Sequence, residues 1–440
     1  MFSKIYNSWQ LLKGNLWFVP AVFCIVAVLS TFAFYALDII YFKDIDLPQY
    51  IFQGSTDDAK SVVITLLSAM ITMATLAISI TIVVLSLAAS QLGPRIIKTF
   101  MSDRRTKDFI GLFFATVVMC FVLTGILHAR GSEIATPQLT ISFVFLFCFI
   151  NLFVLLGFVH HVAHSCIADN VIFNVANDLK NALQRLTTDS AEHNIDKKPE
   201  NPNWPKDFKR VSKHMFFKRS GYIQNINYEG IVNIANEHEL RIQIEHKAGK
   251  FVVKGEDGIS VYTKSKKDEE FEDIKASIEN CFIIGDVRTP TQDIEYSIRH
   301  LVEIAIRALS PGINDSFTAM SVLDSLSEAL AVLFVKDTPP ESFYNEEGVK
   351  RLIAKQSNDA SVIFTAFDQI RHNSATMPSM IRHLLEIFIV LEQLTEDKNS
   401  KIALLKQVKG IKHSLDHNVL YVSDIKELKS RTNALIKKLS

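Results

Sequence analysis

The 440 residues carry 47 basic and 47 acidic side chains, yet the apolar ones crowd into the first 161, which points to two or three domains with the first in a membrane. The remainder holds 37 basic and 39 acidic residues, a balance that argues against nucleic acid as the main partner. Cys24, Cys120, Cys148, Cys166 and Cys281 are odd in number and show no paired spacing, so no disulfide framework and no structural zinc is expected.

Four charge-free segments, about 16–37, 61–89, 109–127 and 139–159, are each long enough to span a bilayer as a helix. The first follows Lys4 and Lys13, but its 22 apolar residues exceed a signal-peptide core and no small-x-small cleavage site precedes Asp38, so it reads as a retained helix with Pro20 in its first turn. Arg95, Lys98, Arg104, Arg105 and Lys107 concentrate positive charge in the second loop. The other two loops hold only Lys43 and Lys60, and Arg130, which predicts both termini in the cytoplasm.

The second segment carries Ser61, Thr65, Ser68, Thr72, Thr75, Ser79, Ser86 and Ser90 at steps that place these hydroxyls on one helix face. Such a seam predicts either a tightly packed helix interface or the lining of a water-filled path, and a path requires several copies around an axis. As a helix its 30 uncharged residues reach about 45 Å, beyond a hydrocarbon core of roughly 30 Å.

Asn151, mid-membrane in the fourth segment, is expected to bond a neighbouring helix, one of the second-segment hydroxyls being an available partner. Asp38 can reach the interface at the end of the first. His160, His161 and His164 lie where the fourth segment leaves the membrane; His160 and His164 share a face, but Ala168 stands where a third metal ligand would follow. A pH-responsive role is another reading of the three histidines, and interfacial histidines that simply tolerate water are the commoner case.

Residues 162–188 read as an amphipathic continuation with Ile167, Val171, Val175, Leu179 and Leu183 recurring every four residues, and the prolines of 191–208 mark a linker. From 214 to 265 short alternating runs such as Gly230-Ile-Val-Asn-Ile and Leu240-Arg-Ile-Gln-Ile, punctuated by Gly249, Gly255 and Gly258, predict a small β-barrel or sandwich. Its texture resembles lipoyl-like barrels, without a hairpin lysine suited to carry lipoate. Residues 268–440 read as a helical domain, closing on a Lys/Leu/Ile-rich helical hairpin over 397–440.

Within that domain Thr289-Pro290 with Gln292 predicts a helix starting near 290 and ending near Leu309, before Ser310-Pro311-Gly312, with Asn314 or Asp315 capping the next helix to about 335. Glu295, Arg299, Glu303 and Arg307 form an alternating row expected to face solvent. Arg288, Gln292, Asp293, Arg307, Asn314 and Asp315 could converge on a small polar ligand, although caps and turns account for most of them without one. No Walker loop, dinucleotide glycine pattern, nucleophile elbow or zinc-protease motif occurs, so no enzyme and no cofactor is expected.

The run from Leu85 to Arg95 (LSLAASQLGPR) with Asp103-Arg104, and Arg288-Thr289, Gln292-Asp293 and the Arg307–Asp315 run (RALSPGIND) with Thr318-Ala319, resemble the bacterial predicted membrane proteins grouped as domain of unknown function 2254. The resemblance covers roughly 10–400, with Ser316 where family members tend to have Pro. It implies a bacterial inner-membrane protein with four transmembrane helices and a soluble C-terminal region, and it implies no activity. The expected fold class is thus a membrane α-helical bundle followed by a cytosolic α+β region with a small β-barrel or sandwich and a C-terminal helical domain. The leading functional expectation is an oligomeric channel or pore-like transport protein with a cytosolic vestibule or gate. The competing one is a membrane-tethered sensor or scaffold whose cytosolic region binds a polar ligand or a protein.

Overall fold

A computed structural model describes residues 17–41, 52, 54–129, 136–193, 215–262, 271–335, 340–417 and 421–440. Most of the expected linker and the ends of the expected β module lie outside the described residues. The chain folds as two compact units, divided between Val171 and Ile172.

The first unit contains α1 (Phe18–Tyr41), α2 (Thr56–Leu92), α3 (Arg95–Ser102), α4 (Arg104–Ala129) and α5 (Gln138–Ser165). Apolar composition makes α1, α2, α4 and α5 long membrane-crossing candidates, and α4 packs against the other three. Their core joins Met70, Met73, Phe113, Met119, Leu123, Val144 and Phe158. Ser55 and Asp58 start α2 as a reciprocal capping box. The helix then runs 37 residues, about 56 Å. It stops at Gly93, whose φ of 110° few other residues adopt, before Pro94.

The expected continuation of the fourth helix is instead a break at Cys166. The Asn170 side chain donates to the His164 carbonyl at 2.8 Å, satisfying a carbonyl of the closing turn, and α6 (Ala168–His193) begins afresh.

The second unit is α+β. Its strands are β1 (Met215–Phe216), β2 (Gly221–Ile226), β3 (Arg241–Ile244), β4 (Phe251–Val252), β5 (Asp257–Tyr262), β6 (Phe282–Gly285), β7 (Ser342–Tyr344) and β8 (Lys350–Ala354). They form a five-stranded sheet, β1-β5-β3-β8-β7, and a three-stranded sheet, β4-β2-β6. The expected self-contained β-barrel over 214–265 is therefore not what forms. β3 pairs in parallel with β8 and β2 pairs with β6, so strands from the stretch read as helical complete both sheets. Short strands cannot bury a face alone, and distant partners supply the missing edges.

Gly230-Ile-Val-Asn-Ile, read as a strand, lies in α7 (Tyr228–Glu237). Asn227 caps it by accepting the Gly230 N–H at 3.0 Å, and Ile231, Val232 and Ala235 fill one buried face. α8 (Phe271–Glu279) adds Phe271, Ile274 and Ile278 to the same core as Ile223, Ile242, Val252 and Leu352.

The helices that follow are α9 (Ile294–Ala308), α10 (Ser316–Val335), α11 (Asp359–Asn373), α12 (Pro378–Leu394), α13 (Lys398–His417) and α14 (Val422–Leu439). Residues 316–334 of α10 make a fifth helix long and apolar enough to cross a membrane. In this fold Val322, Leu323, Leu326, Leu330 and Leu333 of α10 are buried, and the helix packs against α9 and α12.

Candidate functional site

The eight hydroxyl residues of α2 all lie on its exposed face. Ala59, Val63, Met70, Met73, Ala74, Ala77 and Thr81 form the opposite, buried face, because small and flexible side chains let α4 and α5 approach. Packing within the chain's own bundle therefore does not account for the stripe. Thr65, Ser68, Thr72 and Thr75 each donate their hydroxyl to the carbonyl four residues earlier, at 2.8 to 3.0 Å.

The partner of Asn151 is on α4, not α2: its amide donates to the Thr116 hydroxyl across the α4–α5 seam, with both residues buried. At one end of this seam the three histidines part company. His161 Nε2 lies 3.0 Å from Asp103 Oδ2 and 3.2 Å from Thr106 Oγ1. Asp103 also accepts the Thr106 N–H at 2.9 Å, which makes it the cap of α4. Partial burial would raise the Asp103 carboxyl, but the Thr106 N–H and hydroxyl together with His161 hold it below the ordinary carboxylate value. His160 and His164 are exposed, and their ring centroids are 6.0 Å apart. No group of three or more metal-ligating side chains occurs among the described residues.

The structure divides the candidate polar cluster into two groups. Arg288, Gln292 and Asp293 gather before α9, whereas Arg307, Asn314 and Asp315 stand at its far end, 15 residues or about 22 Å away. The helix starts at Ile294 rather than near 290, because Gln292 is bound to Ile226 of β2 and Asp293 to Arg288. Gln292 accepts the Ile226 N–H at 2.8 Å and donates to its carbonyl at 3.0 Å, and Arg288 Nε donates to Asp293 Oδ2 at 2.8 Å. At the far end Asp315 accepts the Thr318 N–H at 3.1 Å, the cap expected of it. Asn314 holds a φ of 52°, a left-handed turn that Asn tolerates.

Two residues invisible to the spacing argument complete the near end. Lys247 pairs with buried Glu295 and donates to Ser357 at 3.0 Å, so the row expected to face solvent turns inward at its first member. Gly249, with φ of 84°, lies so close that a Cβ would sit 2.1 Å from Asp293 Oδ2. Burial raises the Asp293 carboxyl above its ordinary value, Glu295 adds to this, and Arg288 opposes it.

The model of the family described as Predicted membrane protein (DUF2254) matches residues 13–389. The chain belongs to this family. Curated relatives are an uncharacterized protein of Mycobacterium bovis and one of Mycobacterium tuberculosis strain H37Rv, each 25% identical over 407 residues, covering 90% of this chain and 75% of the relative. No solved structure matches.

The stretches that carried the DUF2254 resemblance have local structural duties. Gly93-Pro94 ends α2, Asp103 caps α4, Gln292 and Asp293 tie β2 and Arg288 to the start of α9, and Asp315 caps α10. A further feature of this DUF2254 chain is an open cleft of about 690 Å³ lined by Asn358, Asp359 and Phe364 of the α11 start and Asp397, Ile402 and Lys406 of α13. Ser400 donates to Asp359 Oδ2 at 2.7 Å, while Asp359 Oδ1 is buried with no hydrogen-bond partner.

Proposed function

We propose that the chain is an oligomeric channel or pore-like transport protein of the bacterial inner membrane, with both termini cytoplasmic and α2 facing its counterparts in neighbouring copies. The observation that carries this reading is the exposure of all eight hydroxyl residues on one side of α2. A hydroxyl bonded to its own helix backbone tolerates lipid, but it also keeps a small polar surface available to a neighbouring helix or to water. Several copies around an axis place such faces toward one another or toward a shared path. The test is current across a planar bilayer containing purified protein, beside a Thr72→Leu variant of confirmed assembly. Discrete conductance steps that the variant alters support the reading. Silence under voltage, tension and acid pH counts against it.

A second reading, a membrane-tethered sensor, is favoured by the cleft between α11 and α13. Asp359 and Asp397 offer negative charge, Phe364 and Ile402 an apolar wall, and Lys406 a resident cation over the Phe364 ring, so a small organic cation would be held by the carboxylates. Methylammonium that raises the melting temperature of the wild type, but not of Asp359→Asn, relative to sodium at equal ionic strength supports it; equal melting temperatures count against it.

A further inference from the structure

Cys120 lies near the middle of the apolar stretch of α4, and Cys148 near the middle of that of α5. Their sequence spacing suggests no relation, yet their sulfurs face each other at 3.7 Å across the seam. Both are buried, among Met119, Leu123 and Val144. One turn along the same seam the Asn151 amide holds Thr116, so the helix pair is in register at the thiols.

We propose that Cys120 and Cys148 are a redox-active dithiol, oxidised to a disulfide by a lipid-soluble quinone within the bilayer. In the reaction two S–H bonds break and one S–S bond forms, and the two electrons and two protons reduce the quinone to its hydroquinone. No other reactant is needed. The sulfurs must close from 3.7 Å to about 2.05 Å, a movement within reach of small side-chain and helix adjustments.

The location selects the oxidant class. A thiol pair in the hydrocarbon region is shielded from glutathione, thioredoxins and ionic oxidants, whereas a quinone dissolves in that region. Phe121 and Phe149, next in sequence to the two cysteines, are 69% and 53% exposed, so each helix presents an aromatic, lipid-compatible side chain one residue from its buried thiol. The enforced proximity of the second sulfur favours completion of the S–S bond once the first sulfur has reacted. The product ties α4 to α5 covalently.

The test uses the full-length reduced protein in phosphatidylcholine vesicles, exposed to duroquinone, whose fully substituted ring leaves no position for thiol addition. Free thiols are then alkylated under denaturing conditions and peptides are analysed without reductant. The expected result is a linked peptide pair containing Cys120 and Cys148, one hydroquinone formed per link, and continued alkylation of Cys24, Cys166 and Cys281. Cys120→Ser or Cys148→Ser should abolish hydroquinone formation, and the wild-type result stands even if a serine variant fails to assemble. Full alkylation of both cysteines after quinone treatment overturns the proposal. Equally fast linkage by ferricyanide, which stays in water, overturns the lipid route.

Discussion

Asp38, close to the end of α1, accepts the backbone N–H of Thr140 at 2.7 Å and that of Leu139 at 3.1 Å, and it also takes the Thr140 hydroxyl. Pro137 at the start of α5 has no side chain able to cap, so a carboxylate from another helix satisfies those donors and meets the positive end of the α5 dipole. What reads as an interfacial acid is a tie between two membrane helices.

Replacing Asp38 by Ala strands one buried and one partly buried N–H group, and the loss should be roughly 2–3 kcal/mol, with Asp38→Asn costing less because it retains an acceptor. Unfolding titrations in SDS read this directly. An Asp38→Ala protein that unfolds at the wild-type SDS fraction would show that the tie is dispensable.

Gly249 and Gly255 both hold positive φ, of 84° and 87°, yet only the first has a neighbour in the way. Gly255→Ala meets nothing within 4 Å and should cost about 1 kcal/mol of backbone strain. Gly249→Ala drives its Cβ into the Asp293 carboxylate and should cost about 3 kcal/mol or more, or displace the Arg288 pair. Chemical denaturation of the two variants side by side separates clash from strain; equal losses would mean that the Asp293 contact yields easily.

Burial alone would raise the Glu295 carboxyl, but Lys247 foremost, with Ser361 and Arg299, holds it below the ordinary glutamate value. A depressed folded value contributes stability that is present above the unfolded value, about 4.3, and is lost as pH falls through the folded one. Glu295→Gln, which leaves Lys247 without its counter-charge, should therefore cost about 2 kcal/mol at neutral pH, and the gap to wild type should narrow in acid. Asp293 acts in the opposite sense. Its raised value means that protonation favours the folded state, so its own contribution to stability grows as pH falls through the interval between the ordinary and the raised value. Denaturant midpoints of Glu295→Gln and wild type at neutral and acid pH decide the first; a gap independent of pH would refute the assignment to Glu295.

Thr72 and Thr81 are residues of one type on opposite faces of α2. Thr72 is exposed and donates to the Ser68 carbonyl at 2.9 Å, whereas Thr81 is buried and donates to Ala77 at 2.8 Å. Leu at 72 should leave the stability of the single chain within about 0.5 kcal/mol while altering assembly or conductance. Leu at 81 overfills a packed seam and should cost about 1–3 kcal/mol. Unfolding in detergent at high dilution, with size measured alongside, distinguishes them; matching losses would place the stripe in the chain's own core.

The segments at about 16–37, 61–89, 109–127 and 139–159 were legible from the sequence as long apolar helices, because charge-free runs of that length are a local property, and they overlap α1, α2, α4 and α5. Helix stops and starts at Gly93, Asn227 and Asp315 are likewise written in residues within four positions of the turn they serve, although Asn227 went unread behind an alternating pattern that resembled a strand. The face that α2 buries was not legible, since a hydroxyl stripe and an Ala/Met stripe both permit close approach and only packing chooses between them. Sheet membership was out of reach too: a two- to six-residue strand carries no record of its partner, and β3 finds β8 more than a hundred residues away. Spacing likewise could not join Asp38 to Thr140, Lys247 to Glu295 or Cys120 to Cys148. Each of these pairs lies far apart along the chain, and only the folding of α1, α4, α5 and α9 against their neighbours turns separate polar or thiol groups into contacts at which chemistry can occur.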